Sequence, residues 1–163
     1  MLRIAPFSSA ERDEALRLAL RAWEPVFPLV EAAVSSFAYR AFYPDGWRKR
    51  QNDDLAAVLD EESDGVDVAF FGSSVAGWVC TRIHPEDQMG EVYVLAVDPE
   101  FQHRGVGRAL LARSMERSRR AGMAMVMVET GDDPGHAAAR KAYEAGGFER
   151  WPVARYFKDL SSY

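Results

Sequence analysis

Residues 90–107 read Gly90-Glu91-Val92-Tyr93-Val94-Leu95-Ala96-Val97-Asp98-Pro99-Glu100-Phe101-Gln102-His103-Arg104-Gly105-Val106-Gly107, an apolar run joined to a glycine-bearing loop. The dense β-branched and aromatic content of Val92, Tyr93, Val94, Leu95 and Val97 predicts a strand, closed by the turn pair Asp98-Pro99. Gly105 and Gly107 lack Cβ atoms where the chain from Gln102 to Arg108 must curl. Several backbone N–H groups there can face one anion as a helix begins near Arg108. The backbone itself becomes the ligand for a phosphate-like group.

Working outward, Gln102-His103-Arg104-Gly105-Val106-Gly107 resembles the Q/R-x-x-G-x-G/A pyrophosphate loop of the GNAT family of acetyl-CoA-dependent N-acetyltransferases, and the preceding strand resembles that family's fourth. Downstream, His136-Ala137-Ala138-Ala139-Arg140-Lys141-Ala142-Tyr143-Glu144-Ala145-Gly146-Gly147-Phe148 is similar to the family's N-x-x-A-x-x-x-Y-E-x-x-G-F segment. A short glycine pattern arises often by chance, but one that follows a strand and is matched by a Y-E-x-x-G-F helix end does not. The resemblance covers roughly residues 66–160. It implies a GNAT-like α/β fold: a mixed, mostly antiparallel sheet, helices on both faces, and a splay between the fourth and fifth strands.

The 163 residues and 18.3 kDa suit one N-acetyltransferase domain over 1–163, with acceptor-side helices at about 8–60 and an acetyl-CoA-binding core at about 66–160. With 48% hydrophobic and 28% charged residues and no apolar run of bilayer length, the chain reads as an ordinary globular protein without a membrane partner. Met1-Leu2-Arg3-Ile4-Ala5-Pro6 lacks signal-peptide character, and the single Cys80 suits a reducing compartment; the expected location is the cytoplasm. Cys80 lies in an apolar run, and the expected role is a small buried hydrophobe. A formal charge of -5 argues against nucleic acid and mildly favours a cationic acceptor. The sign reverses locally in Arg104, Arg108, Arg113, Arg117, Arg119 and Arg120. Arg119 and Arg120 read as a solvated helix end, whereas Arg104 and Arg108 sit beside the anion loop.

Along the chain, a strand is expected over Leu2 to Phe7, then a helix opened by the Ser8/Glu11 capping box and running to about Trp23. Further helices are expected over Leu29 to Phe42 and Trp47 to Asp60. A hairpin of Val66 to Phe71 and Val75 to Ile83 turns at Gly72-Ser73-Ser74, and His84 to Met89 reads as a polar surface loop. After the anion loop come a helix to Ala121, a strand over Met123 to Glu129 and a helix to about Ala145. Two short strands, Phe148 to Trp151 and Val153 to Lys158, are expected to finish the fold.

The resemblance also distributes roles. Glu91 stands where part of the family carries a glutamate base, against the plainer reading of a solvated carboxylate at a strand end. Tyr143 stands at the family's acid that protonates the leaving thiolate. Backbone around Leu95, Ala96 and Val97 would hydrogen-bond the pantetheine arm as an added strand, and an N–H near Leu95 or Ala96 would meet the oxyanion. Gln102, His103, Arg104, Gly105, Val106, Gly107 and Arg108 would hold the pyrophosphate. The family's frequent asparagine is replaced by His136, which could bond the cofactor arm, serve as an alternative base or cap the helix. Direct transfer from acetyl-CoA to a primary amine in a ternary complex is implied, and homodimers are common in the family. A non-catalytic acyl-CoA-binding module and a transferase of larger acyl groups are the alternatives. No metal is expected, because there is no H-E-x-x-H and no ligand spacing among the histidines and the lone cysteine.

Overall fold

The computed structural model describes residues 1–161. Its chain divides into two compact units, Met1–Trp23 with Gln51–Glu129, and Glu24–Arg50 with the segment from Thr130 onward. The first unit holds a five-stranded sheet in the order β1 (Leu2–Pro6), β2 (Val66–Phe71), β3 (Ser74–His84), β4 (Met89–Val97), β5 (Met125–Val128). The β1/β2, β2/β3 and β3/β4 pairings are antiparallel and β4/β5 is parallel, giving the mixed, mostly antiparallel sheet expected.

Helix α1 (Arg12–Trp23) and the later turns of α4 (Trp47–Glu61) cover one face. Ala15, Leu18, Leu55 and Leu59 bury themselves there against Val66, Val68, Trp78, Cys80, Val94 and Ala96. Trp78 is fully buried, and its indole N–H donates to the Ala15 carbonyl at 3.0 Å, which satisfies the one polar atom of a large apolar side chain. The entry to α1 is the capping box read from the sequence, with the Ser8 N–H donating to Glu11 Oε2 at 2.7 Å.

Helix α5 (Val106–Arg120) covers the other face. It lies close because Gly77 and Gly90 offer no side chain: a Cβ at Gly77 would stand 3.2 Å from Leu110 Cδ1 and 3.3 Å from Val106 Cγ1, and one at Gly90 would stand 1.9 Å from Ser118 Oγ. Thr81 and Ser114 share a buried hydroxyl hydrogen bond of 2.7 Å across the same interface. Arg117 grips the fully buried Asp67 of β2, and Arg113 stands 3.1 Å from the same carboxylate. The helix ends in a Schellman closure: Gly122 takes φ +80°, and the Met123 N–H reaches the Ser118 carbonyl at 3.0 Å.

The second unit packs α2 (Val26–Ala33), α3 (Ser36–Phe42), the first turn of α4 and α6 (Ala137–Ala145). The single helix expected over Leu29 to Phe42 is broken, because Val34 adopts extended φ −116°, ψ 162° and Ser35 becomes the N-cap of α3. Phe27 stacks on Trp47 at 4.4 Å and meets Tyr43 edge-on at 5.4 Å, so these aromatics make the unit's own core.

The two final strands expected from Phe148 onward are absent among the described residues. Several of their apolar side chains stay in solvent, with Trp151 85% and Tyr156 90% exposed. A strand needs a backbone partner as well as suitable side chains, and Pro152 removes one donor from the segment. No helix among the described residues is long and apolar enough to cross a membrane.

Gly90→Ala is expected to lower stability by about 1–3 kcal/mol, since Ser118 must give up its bond to the Ser114 carbonyl or α5 must shift. Urea unfolding with an unchanged m-value and a reduced midpoint is the check.

Candidate active site

The site is organised along β4. Between Gly77↔Val97 and Cys80↔Val94 the β3/β4 register is regular, but the next pair is Thr81↔Val92, so Tyr93 has no partner. This bulge reverses the alternation beyond it. Glu91 thereby joins Val94 and Ala96 on the α1/α4 face, while Val92 and Gly90 turn toward α5. Regular alternation would have turned the Glu91 carboxylate the other way.

Glu91 is mostly buried and its Oε1 lies 2.9 Å from His84 Nε2. His84 ends β3 and is not the surface-loop residue expected, because β3 runs one residue beyond Ile83 before the 3-10 turn Pro85–Asp87. The hydrogen bond that the ring donates to Glu91 raises the imidazole above its ordinary value, and the charges of Glu91, Glu86 and Asp87 act in the same direction. Arg82, directly across from Glu91, is engaged elsewhere: its guanidinium donates to both Glu62 oxygens at 2.7 and 2.8 Å and lies 3.3 Å from the Tyr93 ring centroid.

Beyond Val92 the far side of β4 changes character. Pairing with β5 ends at Val92↔Val128, so among the described residues the edge carrying Tyr93 to Val97 has no strand of this sheet beside it. That opening includes Leu95, Ala96 and Val97. The strand is pinned at its end by buried Asp98, which accepts from Arg21 at 2.5 Å and from the Glu100 N–H at 3.0 Å.

The anion loop follows at once. His103 at φ 62° and Gly105 at φ +83° both take left-handed backbone, the conformation that tightens the curl before α5. The first helix-type bond runs from the Ala109 N–H to the Gly105 carbonyl at 3.0 Å, so the N–H groups of Val106, Gly107 and Arg108 precede the ladder. Gln102 Nε2 reaches back to the Val97 carbonyl at 3.3 Å, tying loop to strand. Arg104 sits 5.8 and 5.7 Å from the Phe71 and Phe101 ring centroids, and Arg108 is exposed on the first turn of α5. The other arginines of the cluster are committed to structure: Arg113 and Arg117 to Asp67, Arg119 and Arg120 to Glu116.

Cys80 lies on the Glu91 face and is fully buried, and that burial pushes its thiol up to about 12. A thiol so protonated and enclosed does not accept an acyl group. Cys80 is the small buried hydrophobe expected from its apolar run.

His136 and Tyr143 belong to the second unit. His136 precedes α6, and its Nδ1 lies 2.7 Å from Asp133 Oδ1. Burial alone would raise Asp133, but the bond to His136 and nearby backbone N–H groups bring it below the usual carboxylate range. The sequence reading missed this partner. Tyr143 is half-buried, which raises its phenol above the ordinary value. The Y-E-x-x-G-F pattern has a structural cause as well: Gly147 takes φ +86°, the Phe148 N–H reaches the Tyr143 carbonyl at 3.1 Å, and the two rings pack at 6.0 Å. This is a Schellman closure with its usual apolar contact.

The structure is thus a mixed α/β domain in which a loop presenting helix-start N–H groups directly follows a half-paired strand. The chain belongs to the acetyltransferase (GNAT) family, whose model matches residues 20–148. It is 37% identical over 131 residues to mycothiol acetyltransferase from Saccharopolyspora erythraea, covering 74% of this chain and 41% of that protein. It is 30% identical over 158 residues to mycothiol acetyltransferase from Rhodococcus opacus, covering 90% and 51%. The chain therefore spans about half the length, or less, of these relatives. In fold it is similar to PaiA N-acetyltransferase from Thermoplasma acidophilum in complex with coenzyme A, with a TM-score of 0.71 and 17% identity over 94% of this chain and 93% of that one.

The Cys80 assignment predicts that the native protein reacts with a chromogenic disulfide reagent roughly 10³-fold more slowly than the unfolded chain, given an unfolded thiol value of about 8.5. Because the folded value lies above the unfolded one, the stability that the neutral thiol secures is complete below about 8.5 and is lost as pH climbs toward the folded value. Fast native labelling would contradict the assignment.

Proposed function

We propose that the chain is a single N-acetyltransferase domain, in a cytoplasmic setting, that moves an acetyl group from acetyl-CoA to a primary amine by direct attack in a ternary complex. The observation that carries the reading is the continuity of β4 into the Gln102 to Arg108 loop: an unpaired strand edge followed at once by N–H groups ahead of a helix ladder. Acetyl-CoA supplies the activated acetyl group, and every other requirement falls on the chain.

The diphosphate is held by the N–H groups from Gln102 to Arg108, with Arg104 and Arg108 adding charge. The edge of Leu95, Ala96 and Val97 takes the pantetheine arm in the manner of an added strand, and one of its N–H groups faces the developing oxyanion. Glu91 removes the proton that the attacking amine must lose. Tyr143 protonates the departing thiolate, a role suited to a phenol that burial keeps protonated at working pH. His136 is assigned to the cofactor side, its ring set by Asp133. The sealed state of Cys80 supports direct transfer over an acyl-enzyme.

The acceptor is an amine of a small molecule or a protein. The relatives' name places mycothiol-related amines on the panel beside aminoglycosides, polyamines, amino acid derivatives and protein amines.

Coenzyme A release, followed with a thiol reagent across that panel, is expected to be amine-dependent. Tight binding of acetyl-CoA without amine-dependent release would favour a non-catalytic module, and faster release from longer acyl-CoAs would reassign the donor. Tyr143→Phe is expected to cut kcat by on the order of 10²-fold with calorimetric affinity for coenzyme A little changed. An unchanged kcat would remove Tyr143 as the acid.

A further inference from the structure

We infer that His84 works with Glu91 as a positioning and proton-relay residue, holding the carboxylate through Nε2 and passing the acceptor's proton to water through Nδ1. The inference rests on the assignment of Glu91 as base made above and goes beyond it by supplying the proton's way out.

Three observations carry it. First, the two side chains are a diagonal cross-strand pair: Arg82 lies opposite Glu91, and His84, two residues along, points to the same face, its Nε2 2.9 Å from Glu91 Oε1. Second, exposure rises in order along the path: the Glu91 side chain is 16% exposed, His84 31% and Glu86 67%, with Glu86 Oε1 3.6 Å from His84 Nδ1. A base this enclosed needs a route for the proton it accepts, and the ring spans the interval between carboxylate and solvent. Third, the nearby cation makes its hydrogen bonds elsewhere, since Arg82 directs Nε and Nη2 at Glu62.

The proton balance closes. The amine N–H bond breaks as a Glu91 O–H bond forms. That O–H bond then breaks as the Nε2–H bond of a neutral imidazole forms, and the proton already on Nδ1 leaves to water beside Glu86. One proton has moved, and no electrons are exchanged with any other group. The relay starts from the neutral ring that carries its proton on Nδ1 and leaves Nε2 free to accept. It ends with the proton on Nε2, donating to the regenerated Glu91 carboxylate, and exchange of ring protons with water restores the starting tautomer before the next turnover. The groups facing the ring are Glu91 of β4, Glu86 and Asp87 of the turn and Arg82 of β3, while β5 contributes the apolar Met127 opposite Glu91. The three carboxylates outweigh the engaged arginine and hold the ring protonated to higher pH than usual. The rate should therefore rise with pH as the ring loses its extra proton, through a step above the ordinary imidazole value.

The test compares His84→Gln, Glu91→Gln and the double variant with the parent chain, using pH profiles of kcat at saturating acetyl-CoA and NMR titration of the His84 ring. Glutamine keeps an N–H donor toward Glu91 but cannot relay a proton. His84→Gln is expected to lower kcat by on the order of 10²-fold with KM for acetyl-CoA unchanged and to abolish the imidazole step. The double variant should fall no further than Glu91→Gln alone. In Glu91→Gln the ring should titrate at lower pH than in the parent, a readout independent of turnover. If Glu91→Gln is crippled while His84→Gln keeps the parental kcat and profile, the relay is wrong and the base stands. If Glu91→Gln turns over normally, both fall. A ring that titrates identically in the parent and Glu91→Gln also refutes the pairing.

Discussion

One strand with two different halves organises the sheet around the candidate site. β4 has neighbours on both sides as far as Val92 and a neighbour on one side beyond it. Buried backbone groups must be hydrogen-bonded, so an edge left open beside a sheet is either solvated or reserved for something that completes it. The closed half fixes Glu91 against β3 and β5 with little freedom, and the open half leaves one edge of Leu95, Ala96 and Val97 without a neighbouring strand among the described residues. The bulge at Tyr93 lies between the halves and decides which face the carboxylate takes. A single unpaired residue thus sets the position of Glu91 relative to the open edge of the strand.

What keeps β4 and its loop in place is the other face of the sheet. Helix α5 starts at the loop and runs back over β3 and β4, so its distance from the sheet fixes where its leading N–H groups point. Gly77 and Gly90 permit the close approach, and Asp67 with Arg113 and Arg117 sets the position of the helix over β2. A buried carboxylate with two guanidiniums is a poor source of net stability, because desolvation offsets most of the attraction. Its value here is registry: sliding the helix by one turn would strand Asp67 without a partner. Asp98 performs the corresponding service at the other end of the loop, holding Arg21 and the Glu100 N–H.

Features decided by local chemistry were legible in the sequence. Gly105 and Gly147 mark places where the chain turns left-handed, Ser8 with Glu11 marks a helix start, and the Gly72 turn ties two β-rich runs into a hairpin. Features decided by pairing were not. Nothing in the string shows that Val34 opens a break, since its apolar spacing fits a continuing helix. The run from Phe148 has strand-like side chains, yet side-chain type does not supply a backbone partner. His84 looked like loop because Pro85, Glu86 and Asp87 follow it; its bond to Glu91 depends on the β3/β4 register, which the Tyr93 bulge shifts out of step with simple alternation. The arginine cluster was visible, but its division between Asp67, Glu116 and the exposed loop required the helix to be placed on the sheet.

The same face of the sheet also constrains how the acyl group can travel. Two routes exist in principle, one through a covalent acyl-enzyme and one through direct attack with both substrates bound. Cys80 is the chain's sole thiol and sits near Glu91, but the core that α1 and α4 build over it removes both its access and its ionisation. A nucleophile cannot be enclosed by apolar side chains and remain useful, whereas a carboxylate in the next layer outward can, provided it keeps one polar partner and a way to shed its proton. Glu91 has such a partner in His84, because it lies past the bulge and toward the end of the strand, where the core thins. Burial therefore sorts the two residue types on one face, silencing the thiol and leaving the carboxylate a polar partner, and the direct transfer proposed above makes no use of the thiol.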